Sequence, residues 1–306
     1  MNTDYHIRYL KRQDIDTARW DQCINGAANG LIYGFHYYLD HMAAGQWDAL
    51  VLDDYAAVMP LTWRRKAGIR YLYQPAFTQQ TGIFSREALP PDVIQAFLAA
   101  SARHFRFAEI FLNHGNPLPS LRPQVNYILR LDAPYDQLAT QYKKDLAYNL
   151  RRAARWDLSY SPWHGPGDLL ETFRSLYSHK IPSTSPADYQ RFEQLCIYLR
   201  KQQQLILRVV TSNELGLLAT GLLLSDHKRL YLLQSGTLPK GRDVEANHFL
   251  LDQLIREFAG SGMVLDFEGS DIPGIAHFYA NFGSTQQPYF FYRHNRLLWP
   301  ARLLKR

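Results

Sequence analysis

The chain has 306 residues, a length that suits about two domains of ordinary size. Its 46% hydrophobic and 20% charged residues are the balance of a globular protein able to bury full cores. The net charge of +6 divides evenly: Lys and Arg outnumber Asp and Glu by 13 to 11 in residues 1–130 and by 21 to 17 in 131–306, so neither half has the basic character of a dedicated nucleic-acid binder.

Hydrophobic periodicity predicts a strand near 5–10, a helix near 14–27 and a second helix near 35–44. Three strands follow, at WDALVLDD, AAVMPLTW and IRYLYQP, with Asp53-Asp54 marking a hairpin between the first two. An irregular segment, AFTQQTGIFSREALPP, leads to a helix near 91–104 and strands near 107–113 and 125–131. The second half repeats the order. A basic helix near 140–155 precedes a strand near 157–161, helices near 167–180 and 187–203, and strands near 205–211, 216–225 and 228–236. A helix near 243–259, a strand at 263–268, a short helix near 272–281 and a strand at QPYFFYR complete it. This pattern predicts an α/β (α+β) protein with two domains, 1–131 and 132–306, each a mixed twisted sheet flanked by helices. Pro134, just after a strand, marks the junction.

No run approaches 18 apolar residues, and MNTDYHIRYL has no apolar signal core, so no membrane span and a cytoplasmic location are expected. Cys23 and Cys196 have no metal-type spacing and read as buried thiols; no metal is expected. His36 and His114 add no ligand pattern, and no Ser/His/Asp or Cys/His nucleophile signature is present.

The richest stretch is 215–270, where two strands feed a helix start through a short basic loop and a third strand ends in Asp-Phe-Glu-Gly-Ser. A helix start with nearby Lys240, Gly241 and Arg242 suits an anion, or is a solvated turn in which Asp243 caps the helix. Asn247, one turn in, bonds either a ligand or the neighbouring strand. Asp266 and Glu268 are two apart on a strand and so share a face, as a general base with its neighbour or as carboxylates tying down strand ends. On the basic helix, Lys144, Tyr148 and Arg152 form either a stripe for a phosphate-bearing or tRNA substrate or a solvated face. His179 and Lys180 end a helix, where cations suit the dipole; a histidine there also serves as acid or base. In the first half, Gln79, Gln80 and Thr81 either orient an acceptor or satisfy loop backbone.

The helix Lys143–Ala153, the helix start Ala246-Asn247-His248-Phe249-Leu250, the strand end Leu265–Ser270 and the segment Gln79–Phe84 together resemble the FemAB-like branch of the Gcn5-related N-acetyltransferase (GNAT) superfamily, over nearly the whole chain. The resemblance implies two tandem acyltransferase folds and transfer of an acyl group from acyl-CoA (acetyl-CoA) to a small-molecule or peptide amine in an interdomain cleft. It implies that the strands 216–225 and 228–236 splay at Gln234, Ser235, Gly236 and Thr237, and that a backbone N–H there polarises the donor carbonyl. Glu268 or Asp266 then assists proton removal, without a covalent enzyme intermediate. Aminoacyl-tRNA-dependent transfer to a peptide or cell-wall precursor is the alternative, less favoured because the chain lacks a helical-heptad insertion. A catalytically silent ligand-binding protein is the third reading. The full coenzyme A loop of acetyltransferases has several glycines; Leu238–Asp243 has one.

Overall fold

A computed structural model describes residues 5–163, 165, 167, 171–172, 175, 184–269 and 272–299. The chain forms two compact units: Met1–Gln124 with Pro288–Arg306, and Val125–Gln287.

The first unit opens with β1 (Ile7–Lys11), α1 (Thr17–Gly26) and α2 (His36–Met42). Asp16 starts α1 by accepting the backbone N–H groups of Ala18 and Arg19. Strands β2 (Trp47–Leu52) and β3 (Ala57–Lys66) form the hairpin that Asp53-Asp54 predicts; Asp53 and Tyr55 take positive φ in its turn. Then come β4 (Ile69–Tyr73), β5 (Phe84–Ser85), α3 (Pro91–His104), β6 (Phe107–Leu112) and β7 (Arg122–Gln124). The chain's last strand, β15 (Tyr289–Asn295), lies between β6 and β7, giving the order β1-β2-β3-β4-β6-β15-β7 with β5 paired to β3. Leu50, Met59, Leu72, Ile94, Phe97 and Ile110 pack α3 on one face. Trp20 and Trp47 are fully buried elsewhere in the unit, with Trp20 donating to the carbonyl of Gly34 at 2.7 Å.

The second unit holds β8 (Tyr127–Arg130), α4 (Tyr135–Ala139), α5 (Lys144–Ala153), β9 (Ser159–Pro162) and α6 (Pro186–Lys201), the last begun by a reciprocal Ser185–Asp188 capping box. A meander of β10 (Leu205–Ser212), β11 (Gly216–Ser225) and β12 (Arg229–Thr237) leads through a short helix, α7 (Pro239–Asp243), into α8 (Ala246–Phe258). Strand β13 (Val264–Asp266), α9 (Pro273–Ala280) and β14 (Thr285–Gln286) follow, and the sheet order is β14-β8-β13-β12-β11-β10-β9. Leu250, Leu254 and Ile255 of α8 pack on Leu223, Leu232 and Leu265 of the sheet. Each such leucine removed from water contributes about 2 kcal/mol.

Each sheet has one parallel pair, β4/β6 and β12/β13, each joined by a helical crossover. The duplicated order is therefore present, but the boundary is not at 131/132. Strand β8, which the sequence suggests closes the first half, pairs with β13 and β14 in the second unit. Strand β15, which it suggests closes the second, pairs with β6 and β7 in the first. Hydrophobic pattern marks a strand but carries no information about its partner.

Among the described residues no helix is long and apolar enough to cross a membrane, and no group of His, Cys, Asp or Glu gathers in a metal-holding arrangement. Cys23 and Cys196 are buried free thiols. Burial pushes the Cys23 thiol up to about 11.

Candidate active site

The second unit's sheet opens beside β12. Its ladder with β13 covers Arg229–Tyr231 opposite Val264–Asp266, and β12 then runs on to Thr237. Two features set this geometry. On the β11 side, Leu223 faces Leu232 and Leu222 faces Gln234, so Leu233 is the extra residue of a bulge that twists the strand. At the β13 end, Asp266 is wholly buried and bonded to Arg229 at 2.6 Å, Asn126 at 3.0 Å and the backbone N–H of Glu268 at 2.9 Å. The strand ends at Asp266, and Glu268, two residues on, takes φ 57°.

Several sequence expectations change here. The strands that part are β12 and β13; β11 and β12 stay paired to Thr237 opposite Ala219. Asp266 is committed to Arg229. Burial opposes the charged guanidinium, but the carboxylate outweighs it and raises the arginine's pKa above its ordinary value. Glu268 lies past the strand at a left-handed turn and is half-buried, so strand alternation does not put it beside Asp266. His179 falls outside the described residues.

The basic loop is a helix. In α7, Lys240 and Arg242 are exposed and Gly241 is buried against β11, where a Cβ would come 2.1 Å from the carbonyl oxygen of Leu218. Close packing alone demands this glycine. Asp243 ends α7 and does not cap α8; Glu245, at φ 59°, holds that position. Ser235 and Asn247 do meet: the Ser235 hydroxyl donates to Asn247 Oδ1 at 2.7 Å, tying β12 to the first turn of α8. Alternation sends Gln234 to the opposite face of the sheet, where it is 5% exposed and neither amide atom has a hydrogen-bond partner. Gly236 and Thr237 are buried in the same strand.

Against the start of α8 lies a polar chain that the sequence reading does not assemble. Glu245 receives Arg152 Nη1 on Oε1 at 2.6 Å, and its Oε2 is 2.9 Å from His248 Nδ1. His248 Nε2 is 3.2 Å from Asn149 Nδ2, and its ring meets Phe278 edge-on at 4.9 Å. Burial lowers the His248 pKa below its ordinary value, with Glu245 pulling the other way. Arg152 is thus a partner of Glu245, while Lys144 is exposed at the start of α5. Tyr148 is 56% exposed and borders a cavity of about 450 Å³ between α5, α8 and α9, into which His248 and Asn149 also face. The signal in the sequence is a pair of i,i+3 spacings, Asn149/Arg152 and Glu245/His248, on two helices.

The remaining predicted residues belong to the first unit and serve its backbone. Gln80 is fully buried, receives the backbone N–H of His114 at 3.2 Å and donates to Gln79 at 2.6 Å. Thr81 exchanges backbone bonds with Phe111 and Asn113.

No family model matches the chain, and no curated protein matches it. Solved structures do. FemX is similar at a TM-score of 0.66 and 13% identity, over 97% of this chain and 99% of that one. A tandem GNAT protein from the clavulanic acid biosynthesis pathway is similar at 0.52 and 11%, over 96% and 99%. The C-terminal domain of a putative lysylphosphatidylglycerol synthetase from Agrobacterium fabrum is similar at 0.53 and 12%, over 94% of each chain. The fold is that of the FemAB-like tandem GNAT proteins. In this tandem GNAT fold the parted β12/β13 pair and the start of α8 belong to the second unit alone.

Proposed function

We propose that the chain is an N-acyltransferase, moving an acyl group from an activated carrier to a primary amine at the second unit. The observation that carries this reading is the run of β12 past the end of β13, beside the start of α8. A strand edge of this kind offers backbone N–H groups to a carbonyl oxygen and stabilises the charge that develops there as the amine attacks. The unpartnered amide of Gln234 adds a polar group to the same stretch. In the step, the amine nitrogen bonds the carbonyl carbon and the bond from that carbon to the leaving atom breaks. Of the two protons an ammonium group sheds, the leaving atom takes one and solvent receives the other.

Acyl-CoA, the donor the GNAT fold implies, is the first reading. Aminoacyl-tRNA is the second, favoured by α7: its glycine answers a packing need, its backbone is helical, and a carboxylate, Glu245, stands just before α8 where a diphosphate would approach.

Thermal-shift titration with acetyl-CoA, longer acyl-CoAs and charged tRNA tests both, since a ligand at about 100 times its Kd stabilises by roughly 2.7 kcal/mol. Mass spectrometry of the reaction with amine acceptors then reads the product. No shift with any donor and no acylated amine would leave a catalytically silent tandem fold.

A further inference from the structure

Four pieces of chain meet at one end of the first unit's sheet. The β3–β4 hairpin runs past β2, whose ladder with β3 covers Ala57–Thr62, and turns between Lys66 and Ile69. The parallel β4/β6 pairing sets Leu72 level with Ala108, so β6 starts beside that turn, and the Arg70 guanidinium sits 5.0 Å from the Phe105 ring centroid. Helix α3 ends there with Arg103 and His104 in its last turn. Strand β15 ends there too, and just beyond it the Arg296 N–H donates to the Arg106 carbonyl at 2.7 Å.

These segments are basic and contain no acid: 63–70, 103–108 and 293–299 hold no Asp or Glu. Arg70 is paired with Asp48 and Arg293 with Glu109. Arg65, Lys66, Arg103, Arg106 and Arg296 are exposed, and none of the five forms an ion pair with a described residue. Five unbalanced cations at one end of a sheet compare with a net charge of only +6 for the whole chain. Their mutual repulsion opposes folding. Beside them stand apolar side chains that the core leaves out. Ile69 is 39% exposed in the hairpin, and Leu298 and Trp299, just after Arg296, are 70% and 79% exposed.

Cations and apolar tips on one rim match the boundary layer of a charged bilayer. Lys and Arg gain at a negative headgroup surface, Trp settles among the headgroups, and aliphatic tips reach the acyl boundary. An RNA strand engages the cations and stacks on Trp299, but it has no place for the branched aliphatic chains of Ile69 and Leu298. We propose that this end of the first unit is a docking surface for a bilayer of anionic phospholipid. The cations hold the headgroups, and Trp299, Leu298 and Ile69 enter between them. The surface stands apart from the acyl-transfer reading, which concerns the second unit and is tested by other means.

The test is co-sedimentation of the full chain with vesicles of phosphatidylcholine alone or of equal parts phosphatidylcholine and phosphatidylglycerol. Binding is expected with the mixed vesicles only, and about 1 M salt, where the Debye length is about 3 Å, releases the chain. Each Lys or Arg near such a surface strengthens binding about fivefold, so Arg65→Gln with Arg106→Gln weakens it about 25-fold. Lys66→Gln with Arg103→Gln does the same, which guards against a folding defect in one pair. Trp299→Ser weakens binding without changing the charge, and all three variants keep the wild-type melting temperature. The proposal is overturned if the mixed vesicles are not bound, if phosphatidylcholine alone is bound equally, or if either the charge variants or Trp299→Ser bind as wild type does. Tighter binding of tRNA than of the mixed vesicles, lost in the same charge variants, overturns it in favour of RNA.

Discussion

Glu245 and His248 sit one turn apart, with the carboxylate 2.9 Å from Nδ1, and the other carboxylate oxygen holds Arg152 at 2.6 Å. The two neighbours of His248 therefore act on its proton affinity in opposite senses: Glu245 raises it and Arg152 lowers it, beneath the larger lowering by burial. Glu245→Gln is expected to lower the His248 pKa further, and Arg152→Ala to raise it. Histidine NMR titration of both variants checks the signs, with Asp145 and His277 as the other titratable groups lining the cavity.

The same lowering has a consequence for stability. The unfolded histidine binds its proton near the ordinary value, while folded His248 resists it to lower pH. The unfolded state thus holds more protons in that window, and stability falls as pH drops from about 6.5 toward the folded pKa. The melting temperature is expected to decline over that range, less steeply in His248→Gln.

Asp266 and Arg229 form a buried pair, with side chains 1% and 10% exposed. Arg229→Met leaves the buried Asp266 carboxylate without its cation, with only Asn126 and the Glu268 N–H still bonded to it, and is expected to cost about 3–5 kcal/mol. Urea denaturation reads this directly.

Gly241→Ala would put a methyl group 2.1 Å from the Leu218 carbonyl oxygen and force α7 away from β11. A destabilisation of about 1–3 kcal/mol is expected from such overpacking. An unchanged denaturation midpoint would show that α7 yields without strain.

The order of elements was legible because the strands and helices carry strong periodicity; β10–β12 and α8 lie close to where the pattern puts them. What was not legible depended on contacts across long sequence separations. Preference alone assigns the cap of α8 to Asp243, but the packing of Gly241 on Leu218 extends α7 through Asp243 and leaves Glu245 at the helix start. Alternation alone makes Asp266 and Glu268 neighbours, but β13 ends at Asp266, which is bonded to Arg229 on another strand, and Glu268 turns to a left-handed φ. Arg152 and Glu245 are 93 residues apart in sequence, and nothing local in either helix announces their bond.

Strand β15 reaches the sheet of the first unit only after the second unit has been spelled out in full. On a ribosome the contiguous segment 125–287 is therefore complete while β6 still lacks the strand that pairs with it along Phe107–Leu112. The unit written first is finished last. Until residues 289–295 emerge, the edge of β6 that β15 later covers is open to pairing with the wrong strand.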